Sequence, residues 1–350
     1  MRTIISLLSL IFVLPLAART TPASRLKTRL ARIEKQGVMF GHQDDTFYGH
    51  TWHGTRRRSD VLETAGDYPA VMGFDLGGLE RKDSANLDHV PFAAMRREII
   101  AQHERGGVVT LSWHCRNLVN GKTSWDPDGG ETAKLLDGGE QARLDSAIVS
   151  VANFIASLKT KQGVVPVIFR PWHEMNGDWF WWGGKNTTTE LYRRLYRHIH
   201  DVMQKLCPGQ IVWAYSPNLG SKSMEDYYPG DGYVDIVGID IYDFDNNAAA
   251  YSANVRQGLG MITAFAKKHH KIAAFTETGC QQLPQKKWFT ATLQPLISSY
   301  QISYVLLWRN AWDNPKELYV SYPGHDTEKD FKAFVKSKKT LFVKDIKNKH

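Results

Sequence analysis

The sequence predicts an α/β protein: a single (β/α)8 TIM barrel with its active site at the C-terminal ends of the strands. Three observations lead there. Eight short apolar runs recur along the chain, amphipathic stretches separate most of them, and each run ends in polar or aromatic residues. Strands alternating with helices pair in parallel through right-handed crossovers, and in a barrel the carboxyl ends of the strands form the active face.

The runs come in order as GVMFGH (37–42), PAVMGFDLG (69–77), GVVTLSWH (107–114) and VVPVIFRPWHE (164–174). IVWAYSPN (211–218), VDIVGIDIY (234–242), IAAFTETG (272–279) and ISYVLLWRN (302–310) follow. Their near-continuous apolar character suits parallel strands buried on both faces. Helical periodicity marks 90–105, 140–160, 189–206, 253–270 and 286–300. A doubly wound open sheet is the alternative, but no GxGxxG turn follows the first strand. No internal repeat, low-complexity tract or linker-like segment divides the chain, so one catalytic domain is expected over 19–350.

At the N-terminus, Met1 and Arg2 precede IISLLSLIFVLPLA and then small and polar residues. A basic start, an apolar stretch too short to span a bilayer comfortably and a small-residue zone are the parts of a secretory signal. Residues 1–18 are read as that signal, with cleavage near Ala17–Ala18, which implies export to the periplasm or the medium. No cysteine stands near that zone, which argues against a lipid anchor. The three cysteines, Cys115, Cys207 and Cys280, are too few and scattered for a disulfide framework. Net charge is +8, yet residues 331–350 carry seven Lys against one Asp and supply most of it. A basic C-terminal segment reads as a solvated face, so nucleic-acid binding is not expected.

Chemistry concentrates at the strand ends HQDD, DLGGLE, WHCRN, RPWHEMNG, SPN, DIYDFD, TETG and WRNAW. Polar loops explain any one of them; they do not explain why Trp, His and Glu recur. Glu174 and Glu277 end the fourth and seventh runs, on opposite sides of a barrel mouth. Either alone reads more readily as a capping or ion-paired carboxylate. Together they suit a retaining glycosidase, whose two carboxyl groups stand ~5–5.5 Å apart, one protonated and one ionised. Sugar sites stack aromatic rings against apolar sugar faces. Trp113, Trp125, Trp179, Trp181, Trp182, Tyr242, Trp308 and Trp312 fall in or after strand ends, some of them as loop packing. Metal chemistry is the competitor: HEMNG has Gly177 where an HExxH motif needs its second His, and His50 and His53 of HTWH are the remaining ligand candidates. No GxSxG elbow follows any strand.

From GVMFGHQDD (37–45) to WRNAWD (308–313) the chain resembles glycoside hydrolase family 26, the β-mannanases of the retaining (β/α)8 clan. RPWHEMNGDWFWWG carries the likeness most specifically, followed by VDIVGIDIYD, TETG and LLWRNA. The resemblance implies that Glu174 is the general acid/base and Glu277 the nucleophile. His173 takes the place where most of the clan has asparagine, and implies a contact near the sugar 2-position. His114, Trp179, Tyr242 and Trp308 match residues of the −1 site and its borders. Asp240 and Arg309 match polar contacts there or one subsite further out, and Glu80 and Trp125 match more weakly. The implied substrate is β-mannan or manno-oligosaccharides, cleaved by a monomer with no metal or organic cofactor. Endo cleavage is the primary expectation. Exo release of mannobiose, a family relative acting on mixed-linkage glucan or xylan, and a non-catalytic carbohydrate-binding protein are the alternatives.

Overall fold

In the computed structural model, which describes residues 20–54, 58–220 and 222–347, all eight expected strands form. They are β1 (Val38–Gln43), β2 (Val71–Asp75), β3 (Val108–Trp113), β4 (Val167–Pro171), β5 (Ile211–Tyr215), β6 (Ile236–Asp243), β7 (Ile272–Cys280) and β8 (Tyr304–Leu307). Each pairs in parallel with the next, and β8 returns to β1 with Phe40 opposite Val305, so the sheet closes into a barrel. The expected signal segment and its cleavage point lie outside the described residues. Among the described residues no helix is long and apolar enough to cross a membrane.

Side chains alternate between the two faces of a strand, and here that alternation positions the site. On β4, Val167 and Phe169 pack outward against the helices, whereas Ile168 packs inward. Arg170 therefore points inward. The same parity turns Asp240 and Tyr242 of β6, His114 beyond β3, Ser216 beyond β5 and Trp308 beyond β8 toward the barrel mouth, above an inward apolar layer that includes Val108, Val212, Ile236 and Leu306.

The helices that cover the barrel match the expected periodicity at α3 (Phe92–Glu104), α4 (Gln141–Ala156), α5 (Thr189–Leu206) and α6 (Ala248–Lys268). Residues 286–300 wind irregularly, a π turn at Trp288–Leu293 passing into a short helix at Gln294–Ser298 that carries Pro295 in its first turn. No long helix bridges β5 and β6; the short turn Met224–Tyr227 takes its place. Two helices lie before β2. In α1 (Pro22–Ile33) Thr21 caps the N-terminus and Pro22 stands in the first turn, and its apolar side packs under the barrel with Met39, Val71 and Ile236. In α2 (Asp60–Ala65) Ser59 is the cap.

The basic C-terminal segment is not simply a solvated face. From α7 (Glu328–Val335) onward its described lysines are exposed, but Phe331, Phe334 and Phe342 cluster on Phe40 with ring centroids 5.4, 5.7 and 5.1 Å away. All three cysteines are buried free thiols.

Candidate active site

A buried guanidinium organises the floor of the barrel mouth. Arg170 donates through Nη1 to Asp240 Oδ2 at 3.0 Å and through Nη2 to Glu277 Oε1. Asp240 Oδ1 accepts from Ser216 Oγ at 2.8 Å and Thr276 Oγ1 at 2.7 Å, while Glu277 Oε2 accepts from Tyr242 Oη at 2.8 Å. The β6–β7 register slips here: Ile239 faces Phe275, but Asp240 faces Glu277, leaving Thr276 as the extra residue of a bulge. A bulge re-aims side chains, and this one sends both Thr276 and Glu277 to the floor. Gly238 makes room for it, since a Cβ there would lie 2.3 Å from Thr276 Oγ1.

Glu174 stands on a strained turn beyond β4. Trp172 and Glu174 both take φ 52°, a left-handed conformation that is an outlier for a bulky residue. The surroundings hold it. Glu174 N donates to Ser216 O at 2.7 Å, Tyr192 Oη to Trp172 O at 3.0 Å, and Trp182 Nε1 to His173 O at 2.8 Å. Backbone strain of this kind costs roughly 1–3 kcal/mol per residue and persists where packing over-determines it. Trp179 then folds back so that its Nε1 donates to Glu174 Oε2 at 2.8 Å. Gly177 permits this return, because a Cβ there would lie 2.3 Å from the Trp179 ring. Oxygens of Glu174, Glu277 and Asp240 all lie within 4.8 Å of one another.

Two histidines form the neighbouring wall. His114 Nδ1 lies 2.7 Å from Asp75 Oδ2, and its Nε2 lies 3.2 Å from His173 Nε2. Asp75 also accepts from Ser112 Oγ at 2.6 Å and Gly77 N at 2.8 Å. Burial opposes charge on His114, but Asp75 outweighs it and the imidazole pKa is raised. His173 goes the other way: burial, then the charges of Arg170 and His114, push it well below the usual histidine range. The two shifts run in opposite directions and favour the charged form on His114 and the neutral form on His173.

The cleft above has a volume of about 730 Å3 and is lined by His114, Trp125, His173, Glu174, Trp179, Tyr242, Glu277, Trp308 and Arg309, among others. Trp125 is 48% exposed and stacks on His114, with centroids 5.0 Å apart; Trp179 is 39% exposed. Trp113, Trp181 and Trp182 are fully buried and serve as packing. Arg309 does not approach Glu277: its Nη1 bonds Asp88 Oδ1 and its Nε bonds Glu317 Oε2 at 2.6 Å. The guanidinium on Glu277 is that of Arg170. Glu80 is absent from the cleft lining; its carboxylate is taken up by Trp113 Nε1 at 3.0 Å, Arg116 N at 3.0 Å and Gly78 N at 2.9 Å, which fixes the loop beyond β2. The HQDD strand end is likewise a buried network, with His42 Nδ1 2.7 Å from Asp45 and Tyr48 Oη 2.7 Å from Asp44. His50 stacks on Tyr322 and His53 lies against Trp312, with centroids 4.1 and 4.8 Å apart.

Arg170, Asp75 and Phe244, a further lining residue, were not singled out from sequence. The signal for Arg170 was present, since strand parity from Ile168 places it inward. Asp75 carried the same signal on β2, two residues beyond an inward Gly73 and four beyond Val71.

Glu174 is held well above the usual carboxyl range by burial first, then by the charges of Asp240 and Glu277, against the Trp179 hydrogen bond and Arg170. Burial and Glu277 likewise lift Asp240 to about 7, against Arg170. Glu174, Asp240 and Glu277 are the described residues able to offer three oxygens to one cation. Arg170 already occupies two of these carboxylates.

Paired carboxylates at this spacing, under exposed aromatic rings at the C-terminal face of a (β/α)8 barrel, define a glycoside hydrolase of the barrel class. The model of glycosyl hydrolase family 26 matches residues 15–294, and the chain belongs to that family. It is 32% identical to a mannan endo-1,4-β-mannosidase of Bifidobacterium adolescentis over 93% of this chain, which spans 35% of that relative's length. It is 31% identical to a mannan endo-1,4-β-mannosidase of Bacillus subtilis, covering 83% of this chain and 78% of the other. Among solved structures, a family 26 β-mannanase from Bacteroides ovatus superposes with a TM-score of 0.89 at 43% identity, over 93% of this chain and 96% of that one.

Proposed function

We propose that this protein is an endo-β-1,4-mannanase working by double displacement, with Glu174 as acid/base and Glu277 as nucleophile. The observation that carries the mechanism is the approach of Glu174 and Glu277 oxygens to within 4.8 Å. Retaining enzymes hold their carboxyl groups ~5–5.5 Å apart, whereas inverting ones leave ~6.5–9.5 Å for a water between them. The environments divide the roles. Glu174, half-buried and with its pKa raised by desolvation and neighbouring charge, is the group suited to hold a proton for the leaving oxygen. Glu277 has one oxygen on Arg170 and one on Tyr242, which aims it and neutralises its charge before attack. In the first step a Glu277 oxygen bonds the anomeric carbon while the glycosidic bond breaks and the Glu174 proton passes to the departing hydroxyl. In the second, Glu174 takes a proton from water, which displaces Glu277.

Mannan as substrate is supported by the names of the relatives in Bifidobacterium, Bacillus and Bacteroides. His173, neutral and facing the cleft beside Glu174, suits a hydroxyl at the sugar 2-position. Export through the N-terminal segment is part of the same reading, since polymeric mannan lies outside cells; N-terminal sequencing of the protein recovered from its host would test it by showing or failing to show a start near Ala18. Hydrolysis of linear mannan and mixed-linkage β-glucan, followed over time with the anomer of the first product read by NMR, tests the rest. A spread of β-configured manno-oligosaccharides is expected. Faster glucan hydrolysis would overturn the substrate, and an α-configured first product would overturn the mechanism.

A further inference from the structure

Just beyond strand β6 stands a third side chain in line with the two that build the site. Asp240, Tyr242 and Phe244 follow at every second position. Asp240 is held on the floor by Arg170, Tyr242 is 2.8 Å from Glu277 and Phe244 stands at the rim of the cleft. Its ring lies flat over Tyr242, with centroids 5.1 Å apart and planes at 14°. At 57% exposure it is the most exposed of the large apolar side chains among the described residues.

A lone exposed apolar residue is ordinary and needs no explanation. Phe244 differs in two respects. Its ring is oriented, because Tyr242 beneath it is anchored through its hydroxyl on Glu277. The cleft lining also includes two amides, Asn254 of α6 and Gln281 just beyond β7; Gln281 N donates to Asp243 O at 3.0 Å, next to Phe244, and its side chain is hydrogen-bonded to Tyr319. A flat apolar face edged by amide donors and acceptors complements a pyranose ring, which has an apolar face and a hydroxyl rim.

We propose that Phe244, Asn254 and Gln281 form a hexose-binding bay on the β6–β7 side of the cleft, occupied by a hexosyl unit of the substrate other than the one at the cleavage point. That unit comes either from the mannan backbone or from a branch on it. The proposal rests on the mannanase reading. It extends the site beyond the residues that do the chemistry, along the same row of side chains, and gives the exposed ring a partner that covers it.

The test compares wild type with Phe244→Ala, Phe244→Trp and Asn254→Ala, all at surface positions whose replacement leaves the core untouched. Substrates are linear manno-oligosaccharides of increasing length and the same series bearing single galactosyl branches. Phe244→Ala is expected to lower kcat/KM by about three- to tenfold, the size of one aromatic contact, mainly through KM. Phe244→Trp should recover most of the loss, and Asn254→Ala should show a smaller one. A loss that grows with linear chain length assigns the bay to the backbone; a loss confined to branched substrates assigns it to a branch. Equal kcat/KM for wild type and Phe244→Ala on every substrate would overturn the proposal. Affinity electrophoresis in gels containing linear mannan or galactomannan keeps the two readings apart. If wild type cleaves no mannan, the mannanase reading fails, while equal retardation of wild type and Phe244→Ala in both gels still overturns the bay.

Discussion

The indole N–H of Trp179 donates to Glu174 Oε2 at 2.8 Å, and it reaches that carboxylate through a turn in which Gly177 lies under the ring. A donor to a carboxylate favours the ionised form, so this bond opposes the burial and neighbouring charges that raise the Glu174 pKa. If Glu174 is the acid proposed above, a partly exposed tryptophan helps set how long it stays protonated as pH rises.

Trp179→Phe keeps a ring and removes the N–H. The Glu174 pKa should then rise further, and because the protonated acid is the working form, the basic limb of the kcat/KM profile should move to higher pH. Losing a donor that favours the ionised form sets the direction, a basic limb displaced upward. Gly177→Ala, which pushes the ring aside, should move the limb in the same direction. An unmoved or lowered limb in Trp179→Phe would contradict the role given to this bond.

Arg170 is expected to matter for stability as well as rate. Its guanidinium is fully buried between Asp240 and Glu277. Removing one partner of a buried ion pair leaves uncompensated charge and costs about 3–5 kcal/mol. Arg170→Met, close in length and apolar, should lose about that much in urea denaturation at neutral pH and should lose activity. Part of the stability should return at acid pH, where the two orphaned carboxylates protonate. A variant as stable as wild type at pH 7 would show that the pair contributes little.

The barrel was legible in the sequence because each strand is a continuous apolar run that changes character at its carboxyl end. VVPVIFRPWHE held both strand and turn. What stayed hidden were groups whose significance depends on a partner far along the chain. Arg170 finds Glu277 across 107 positions and Asp75 finds His114 across 39; neither separation has a local pattern. Arg309 lines the cleft as the resemblance implies, but its partner Asp88, 221 positions away, had no local signal either. Helix α1 was obscured by its mean polarity and by three arginines and a lysine, although its Thr-Pro start is a legible cap.

Glu174 and Glu277 should separate by rescue chemistry. Glu174→Ala is expected to lose nearly all activity on mannan, whose leaving group needs a proton, yet keep the first step on an aryl mannoside with a good leaving group. The glycosyl-enzyme would accumulate, and azide would release a product of retained configuration. Glu277→Ala should fail on both substrates, and any azide product should be inverted. NMR of the azide adducts checks this, and the same configuration from both variants would sink the assignment.

The last expectation concerns Asp75, whose carboxylate bonds His114, Ser112 and Gly77. Its carboxylate pKa is lowered, burial being outweighed by His114, and that of His114 is raised. The signs set the window. A depressed carboxylate stabilises the fold above its unfolded pKa of ~3.9, and a raised histidine stabilises it below its unfolded pKa of ~6.5, with the gain lost as pH climbs through the folded value. The Asp75–His114 pair is therefore most stabilising between about pH 4 and 6.5. Asp75→Asn should cost about 3 kcal/mol there, and the gap from wild type should narrow as pH rises past the His114 pKa. Activity should fall with it, more in kcat than in KM, because a neutral His114 no longer presents a fixed Nε2–H to His173 at 3.2 Å. Urea denaturation across pH and histidine NMR titration measure both effects. A stability gap constant across pH, or an unchanged His114 titration, would mean that Asp75 fills space and does not set the charge on His114.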